Sequence, residues 1–223
     1  MIYHRVMQST VDGDTGDGPP DLRARRRAQT QAEIHSAILE LAIEHGYDRV
    51  TVDDIAARAG VSPRTFFRYF PTKDSAIAHD RWGFGRAIRR MATTVSGRTL
   101  RLADIDGVYL GLIRDLVDDQ QATDALARTH RVTAESAQLA AATFAAFDTE
   151  NKAALELLAG QADFATRSRA RLLLLVAQGI MTAALAEWTD RYEADKAAHA
   201  SATDLLDIYT RLAAELRTPE ALS

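Results

Sequence analysis

The run from Thr51 to Lys73, TVDDIAARAGVSPRTFFRYFPTK, holds the start and stop signals of two short helices within a few residues of each other. Thr51-Val52-Asp53-Asp54 has the form of a capping box, with Thr51 set to accept from a free backbone N–H and two carboxylates in the first turn, where negative charge suits the helix dipole. Val52, Ile55, Ala56 and Ala59 recur at helical spacing and give a narrow apolar face whose alanines let a neighbouring helix come close. Gly60 stands where the chain leaves that helix, most readily through a left-handed conformation. Ser62 then caps a second helix and Pro63 occupies its first position, where no N–H donor is missed. Two short helices joined by Gly60-Val61-Ser62 pack at a sharp angle, and a helix-turn-helix meets all of these signals.

The charges of this stretch say what it faces. Phe66 and Phe70, four apart, are the expected buried anchors, which turns Arg64, Thr65, Phe67, Arg68 and Tyr69 outward or to the edge. Between Asp54 and Asp74 there is no carboxylate, while Arg58, Arg64, Arg68 and Lys73 all fall there. Arg64 lies in the first turn of its helix and Lys73 in the first turn of the helix after Pro71-Thr72, where a cation opposes the dipole by about 0.3–1 kcal/mol. A phosphate oxygen restores the balance, because a helix N-terminus with an added cation is a strong anion site. Solvated surface charge accounts for any one of these cations taken singly, but not for the set. Double-stranded DNA is the expected partner.

Upstream, Ile34, Ala37, Ile38, Leu41 and Ala42 follow an amphipathic pattern that ends at Gly46 and predicts a helix roofing the reading pair. Its start is open: Thr30-Gln31-Ala32-Glu33 is a capping-box pattern, yet Arg23 to Ala28 extends the helix equally well by a turn or two. Arg23, Arg25, Arg26 and Arg27 are either an arm reaching into an adjacent minor groove or a solvated charge run; the arm is favoured, with Arg25 and Arg26 as its contacts. Met1 to Pro20, with Gly13, Gly16, Gly18, Pro19, Pro20 and three aspartates, reads as a flexible leader without a signal-peptide core. The expected division is a leader over residues 1–22, a DNA-binding domain over 23–75 and a helical domain over 76–223.

Charge is divided along the same line. Residues 21–90 hold 13 basic and 9 acidic side chains, net +4, while residues 91–223 hold 13 and 19, net -6. The basic part suits nucleic acid and the acidic part does something else. The later part reads as helix throughout, with no alternating strand pattern and no proline from Thr72 to Thr218. The periodicity predicts helices over Lys73–Val95, Asp104–Asp118, Thr123–Thr129, Thr133–Leu158, Thr166–Thr189 and Ala198–Leu216, punctuated by Gly97 and Gly160. Alanines around 140–146 read as close helix packing. The fold class is therefore all-α: an N-terminal three-helix helix-turn-helix domain followed by a helical bundle. Leu172 to Ala186 is uncharged but, at 15 residues with Gln178 and Thr182, too short for a comfortable membrane span, so no membrane is expected.

Nothing points to catalysis. The chain has no cysteine, no phosphate-cradling glycine loop, no nucleophile elbow and no metal-binding run, so neither metal nor cofactor is expected. His4, His35, His79, His130 and His199 are scattered, and His45 belongs to a helix ending. Asp118-Asp119 and Asp53-Asp54 are adjacent carboxylates on helices, whose side chains point to different faces. Binding, not turnover, is the expected chemistry.

From Arg27 to Ile77 the chain resembles the tetracycline-repressor (TetR) family of bacterial transcription regulators. The likeness rests on Gly46-Tyr47, Thr51-Val52, Ile55-Ala56, Ala59-Gly60-Val61-Ser62, Thr65-Phe66-Phe67, Tyr69-Phe70 and Lys73. It implies a phosphate contact at Thr51, base-edge contacts at Arg64 and Thr65, and approach to the DNA backbone at Phe67, Tyr69 and Lys73. Ser62 and Arg68 join these as candidate contacts. Many relatives carry Tyr where this chain has Phe67, which removes one phosphate hydrogen bond and leaves a sugar or thymine methyl as its contact.

The last two helices carry two apolar stripes: Leu172, Leu175, Val176, Gly179, Ile180, Ala183 and Ala184, then Leu205, Leu206, Ile208, Tyr209, Leu212 and Leu216. Either stripe equally suits the core of a single chain. The resemblance implies a homodimer with Leu172, Val176, Ile180, Ala184, Leu205, Tyr209 and Leu212 in its interface, reading a partly palindromic operator. It also implies repression relieved by a small-molecule effector. Trp82, Phe84, Arg86, Tyr109, Leu112, Phe144, Phe147 and Trp188 are the candidate lining of its pocket. The later helices look like the mycofactocin-regulator subgroup, which implies an acyl-coenzyme A ligand with its anionic end near Arg86, Arg89 or Arg90. The alternative is a DNA-bound adaptor whose helical domain recognises a protein and holds no small molecule.

Overall fold

The computed structural model describes residues 22–95, 99–160, 162–194 and 201–217. Residues 1–21 of the expected leader, His4 among them, together with Gly97, His199 and the expected helix start at Ala198, lie outside the described residues, while Leu22 opens a helix. Among the described residues ten α-helices run in order: α1 Leu22–His45, α2 Val52–Arg58, α3 Pro63–Tyr69, α4 Lys73–Ile77, α5 Phe84–Val95, α6 Leu102–Val117, α7 Gln120–Glu135, α8 Ala137–Ala159, α9 Phe164–Ala194 and α10 Ala202–Glu215. One turn of 3-10 helix, Tyr47–Arg49, joins α1 to α2, and no strand occurs among the described residues. The chain is all-α, as its pattern requires.

It divides into two compact units: residues 1–81 with 128–146, and residues 82–127 with 147–223. In the first, α1 supplies Ile34, Ile38 and Leu41 to a core completed by Ile55 of α2, Phe66 of α3, Phe70 and Ile77. Val132 and Leu139 enter the same core from the 128–146 stretch, so this unit holds more chain than the reading helices and their roof. Ile34, Ile38, Ile55 and Phe66 are fully buried, each contributing roughly 1.5–3 kcal/mol by leaving water. Helices of seven, seven and five residues, α2 to α4, are far too short to persist alone and exist because this core and their caps hold them.

α1 begins at Leu22, so the arginine cluster is helical and not an extended arm. The reason is visible at Thr30, whose hydroxyl donates back to the Arg26 carbonyl at 3.0 Å instead of capping a new helix. The expected helix from Lys73 to Val95 is also two helices. Gly83, at φ 78, takes a left-handed conformation that a helix interior excludes, and α5 starts after it. Asp118 and Asp119 lie at the junction of α6 and α7, not within a helix. There the Asp119 carboxylate accepts from Ala122 N at 2.9 Å and opens α7 earlier than periodicity suggested. Ser136 does the same for α8, accepting from Leu139 N at 3.3 Å, which moves its start from Thr133 to Ala137.

In the second unit α6, α9 and α10 pack mutually and α5 packs on α6. Ile105, Ile113, Leu174, Ile180, Ala184, Leu205 and Ile208 fill the space between them. A buried polar node crosses this core: Tyr209 donates to Asp106 Oδ1 at 2.7 Å, and Arg217 closes an ion pair on Oδ2. Asp106 is only 3% exposed, so these partners remove the cost of an unpaired carboxylate. Burial, then the bond to Asp106, pushes the Tyr209 phenol above its ordinary range. By length and composition Phe164–Tyr192 of α9 is apolar enough to cross a membrane; here α6 and α10 pack along that helix.

Candidate nucleic-acid interface

The capping box at α2 forms as expected. Thr51 Oγ1 accepts from Asp54 N at 3.2 Å, and Asp54 Oδ2 accepts from Thr51 N at 3.1 Å and from the Thr51 hydroxyl at 2.6 Å. The side-chain bond and then the backbone bond from Thr51 hold the Asp54 carboxyl below its usual range. Gly60, at φ 67, makes the left-handed exit from α2. Ser62 accepts from Thr65 N at 3.1 Å with Pro63 at the first position of α3, and Thr72 accepts from Ser75 N at 3.1 Å to open α4.

Burial of Phe66 and Phe70 fixes the rotation of α3. Arg64 and Arg68 point to solvent, Phe67 is 55% exposed, and Thr65 and Tyr69 are half-buried. Thr65 Oγ1 lies 3.0 Å from Ser62 Oγ. The Phe67 ring meets Phe66 edge-on at 5.5 Å between centroids, which stiffens an exposed aromatic against its buried neighbour. Thr51 and Ser62 are exposed at the N-termini of α2 and α3, and Arg25 and Arg26 are exposed on the first turns of α1.

Two of the four cations expected to face an anion are engaged within the chain. Arg58 pairs with Glu40 at 3.2 Å and Glu44 at 2.8 Å, tying α2 to the roof helix. The bond from Arg58 holds the Glu44 carboxyl below its usual range. Lys73 Nζ donates to the carbonyls of Tyr47 at 3.0 Å and Val50 at 3.1 Å and sits 4.1 Å from the Tyr47 ring centroid. Within the chain its charge is compensated by two carbonyl oxygens and a π face. Beside it, Asp74 accepts from the Tyr47 hydroxyl on one oxygen and from Gln138 Nε2 at 2.8 Å on the other. Burial, then that bond, raises the Tyr47 phenol above its ordinary range.

Beneath the interface, His35 is buried in the core with Arg81 Nη1 3.1 Å from its Nδ1. A guanidinium only donates, so Nδ1 accepts and the ring is neutral. Burial first, then the charge of Arg81, lowers the His35 pKa to about 3.

Sequence reasoning left Arg27 off the contact set. Its guanidinium carbon lies 5.9 Å from the Tyr69 ring centroid, and that of Arg68 lies 5.0 Å from the same ring. The available signal was spacing: Arg27 stands seven residues before Ile34 and shares its helix face, whereas Arg25 and Arg26 do not.

The candidate effector residues are divided between the two units. Phe144 belongs to the first unit and is 61% exposed, while Trp82, Phe84, Arg86, Tyr109, Leu112, Phe147 and Trp188 belong to the second. Phe84 packs on Tyr109 and Tyr109 on Tyr209, each pair at 5.9 Å, and the Trp188 indole donates to Ser201 O at 2.8 Å. Those rings fill the core. Arg89 pairs with Glu150 at 2.9 Å. The expected interface set divides as well: Ile180, Ala184, Leu205 and Tyr209 are buried within their own chain, and Val176 and Leu212 are half-buried. Leu172 at 60% and Leu175 at 47% exposure remain outside, on a face of α9 shared with Gly179, Thr182 and Ala183. Among the described residues no group of acidic, histidine or cysteine side chains has a metal-binding arrangement.

Residues 34–77 match the family model described as bacterial regulatory proteins, tetR family. Over 51 residues the chain is 45% identical to a Mycobacterium tuberculosis protein provisionally named as the mycofactocin biosynthesis transcriptional regulator MftR; that stretch is 23% of this chain and 26% of the relative. Over 55 residues it is 42% identical to the HTH-type transcriptional regulator TcmR of Streptomyces glaucescens, covering 25% of this chain and 24% of the relative. The matched stretch thus spans about a quarter of either relative. Among solved structures, the Thermus thermophilus FadR repressor in complex with lauroyl-CoA aligns over 84% of this chain and 95% of its own, at 21% identity and a TM-score of 0.43. The fatty acid degradation regulator FadR of Bacillus halodurans aligns over 88% and 96%, at 15% identity and a TM-score of 0.45. Likenesses at these scores carry no argument about ligand or assembly.

Proposed function

We propose that the chain, whose helix-turn-helix segment matches the tetR family of bacterial regulatory proteins, is a transcriptional repressor of that family that binds a partly palindromic operator as a homodimer and is released by a small apolar or acyl-coenzyme A effector. It acts by binding alone, in the cytoplasm. One observation carries the DNA reading: Phe66 and Phe70 lock α3 so that Arg64, Phe67 and Arg68 face solvent on a surface without an acidic side chain from Ile55 to Lys73.

Arg64 and Thr65 are the proposed base readers, with Thr51, Ser62, Phe67, Arg68 and Tyr69 against the backbone. Dimerisation is supported by the exposed stripe of Leu172, Leu175, Gly179 and Thr182, whose spacing alternates three and four residues along α9. Support for an acyl-coenzyme A effector is the basic run Arg86, Arg89 and Arg90 on α5, a set of cations suited to an anionic nucleotide. The second reading, a DNA-bound adaptor for a protein partner, is supported by the way Phe84, Tyr109, Tyr209 and Trp188 pack on one another and on backbone.

Sequencing genomic fragments retained by the purified protein tests the operator. Fragments sharing inverted half-sites centred about 34–36 Å apart are expected, and retention without a shared sequence overturns a sequence-reading role. Calorimetry with a long-chain acyl-coenzyme A, run beside operator release, separates the two readings of the helical domain. Binding with release supports the repressor. Release by no acyl thioester supports the adaptor.

A further inference from the structure

The first turns of α1 are helical, basic and lack any acidic residue, which sets Arg23, Arg25, Arg26 and Arg27 against the positive end of a 24-residue helix. Arg27 stands apart from its neighbours because it reaches the reading helix. Its guanidinium carbon is 5.9 Å from the Tyr69 ring centroid, and that of Arg68 is 5.0 Å from it. Tyr69 is itself anchored, half-buried against the core that holds Phe66 and Phe70. Two guanidiniums therefore share one fixed aromatic platform, contributed by helices 41 residues apart in sequence (Arg27 to Arg68). Stacking on a ring leaves the in-plane N–H donors of an arginine unspent. Neither Arg27 nor Arg68 forms an ion pair among the described residues, in contrast to Arg58 with its two glutamates. Gathering two cations without a carboxylate costs repulsion, and a polyanion relieves it.

We infer that Arg27, Tyr69 and Arg68 form a phosphate grip that makes the N-terminal end of α1 a second element of the DNA-binding surface, beside the reading helix. This rests on the DNA-binding reading above. The grip contacts backbone and not base edges, so it adds affinity on any sequence and none of the operator's selectivity. Tyr69 serves as a positioning residue, its ring 5.9 Å from the Arg27 guanidinium carbon and 5.0 Å from that of Arg68.

The test uses the full chain and a mixed-sequence DNA duplex of about 30 base pairs, with affinity followed across a salt series. Arg27→Gln should weaken binding about tenfold at moderate salt and reduce the slope of log K against log salt by about 0.9 per reading head. Arg27→Lys keeps the charge and should keep the slope while losing part of the affinity. Tyr69→Phe keeps the platform and should bind more tightly than Tyr69→Leu, which should approach Arg27→Gln. Circular dichroism confirms that each variant is folded, as expected for an exposed Arg27. Wild type that binds the duplex beside an Arg27→Gln protein of unchanged slope overturns the grip alone. Wild type that binds no duplex at all overturns the DNA reading, and the grip with it.

Discussion

The reading unit and the helical bundle are both all-α, yet they are assembled by different rules. In the first, α2, α3 and α4 have seven, seven and five residues, and each opens on a side-chain cap at Thr51, Ser62 or Thr72. In the second, α9 runs for 31 residues with apolar side chains on several faces. Short helices are specified locally, by the residue that starts them and the one that ends them. Long helices are specified by what packs on them, and their own sequence says less about which face is which. The two units can be followed separately, because both tryptophans, Trp82 and Trp188, lie in the bundle, whereas helical dichroism reports on the whole chain.

The largest expected effect tests that contrast on a single helix. Ile180→Glu buries a carboxylate in the bundle core and should destabilise it by upwards of ~3 kcal/mol, seen as a collapse of the tryptophan unfolding midpoint. Leu172→Glu, two turns earlier on the exposed face, should leave that midpoint nearly unmoved and separate the proposed dimer in sedimentation. If both variants unfold alike, α9 has no free face and the contrast fails.

A smaller effect belongs to the reading unit and comes from pH. Burial, then the charge of Arg81, lowers the His35 pKa to about 3 from its ordinary 6.5. The unfolded chain therefore binds more protons between those values, and stability falls as the pH drops through that window. The loss is up to about 1.4 kcal/mol per pH unit, and it levels off near the folded value. Denaturation at pH 7 and pH 5 should show a shift in dichroism greater than in tryptophan fluorescence, and His35→Leu should remove the difference. Equal shifts in both signals would assign the acid sensitivity elsewhere.

Next come two cations that look alike in sequence. Arg64→Ala should cost about 1–3 kcal/mol of operator affinity and relax one position of each half-site without altering stability. Lys73→Ala should lower stability, since it strips the Tyr47 and Val50 carbonyls of their donor, and should leave the salt slope of DNA binding unchanged. A flattened slope in the lysine variant would return Lys73 to the phosphate-contacting set. The smallest effect is Thr51→Ala, which should remove about 1 kcal/mol from the reading unit through the lost cap.

These differences explain what the amino-acid sequence disclosed. The turn at Gly60, the caps at Thr51 and Ser62 and the anchors Phe66 and Phe70 are codes read over three or four residues, and all form as expected. The partners of Arg58 lie 14 and 18 residues away and those of Lys73 lie 23 and 26 away, beyond any local pattern, so the sequence presents both as outward charges. On α9 and α10 an apolar residue facing a neighbouring helix and one facing solvent carry the same letter. Leu172 and Ile180 were therefore grouped together until packing separated them. The split between α4 and α5 hangs on Gly83, whose backbone angle no periodicity reveals.

The pairing of Arg58 with Glu40 and Glu44 bears on search as well as on folding. A regulator must leave millions of wrong sites quickly if it is to find a right one, and every uncompensated cation on its reading head deepens its hold on all of them equally. In the proposed DNA-binding role, the two glutamates trim that indiscriminate hold by cancelling Arg58 where it stands and leave discrimination to Arg64, the proposed base reader. Shortening the time lost at each wrong address, they favour a protein that samples a chromosome over one that coats it.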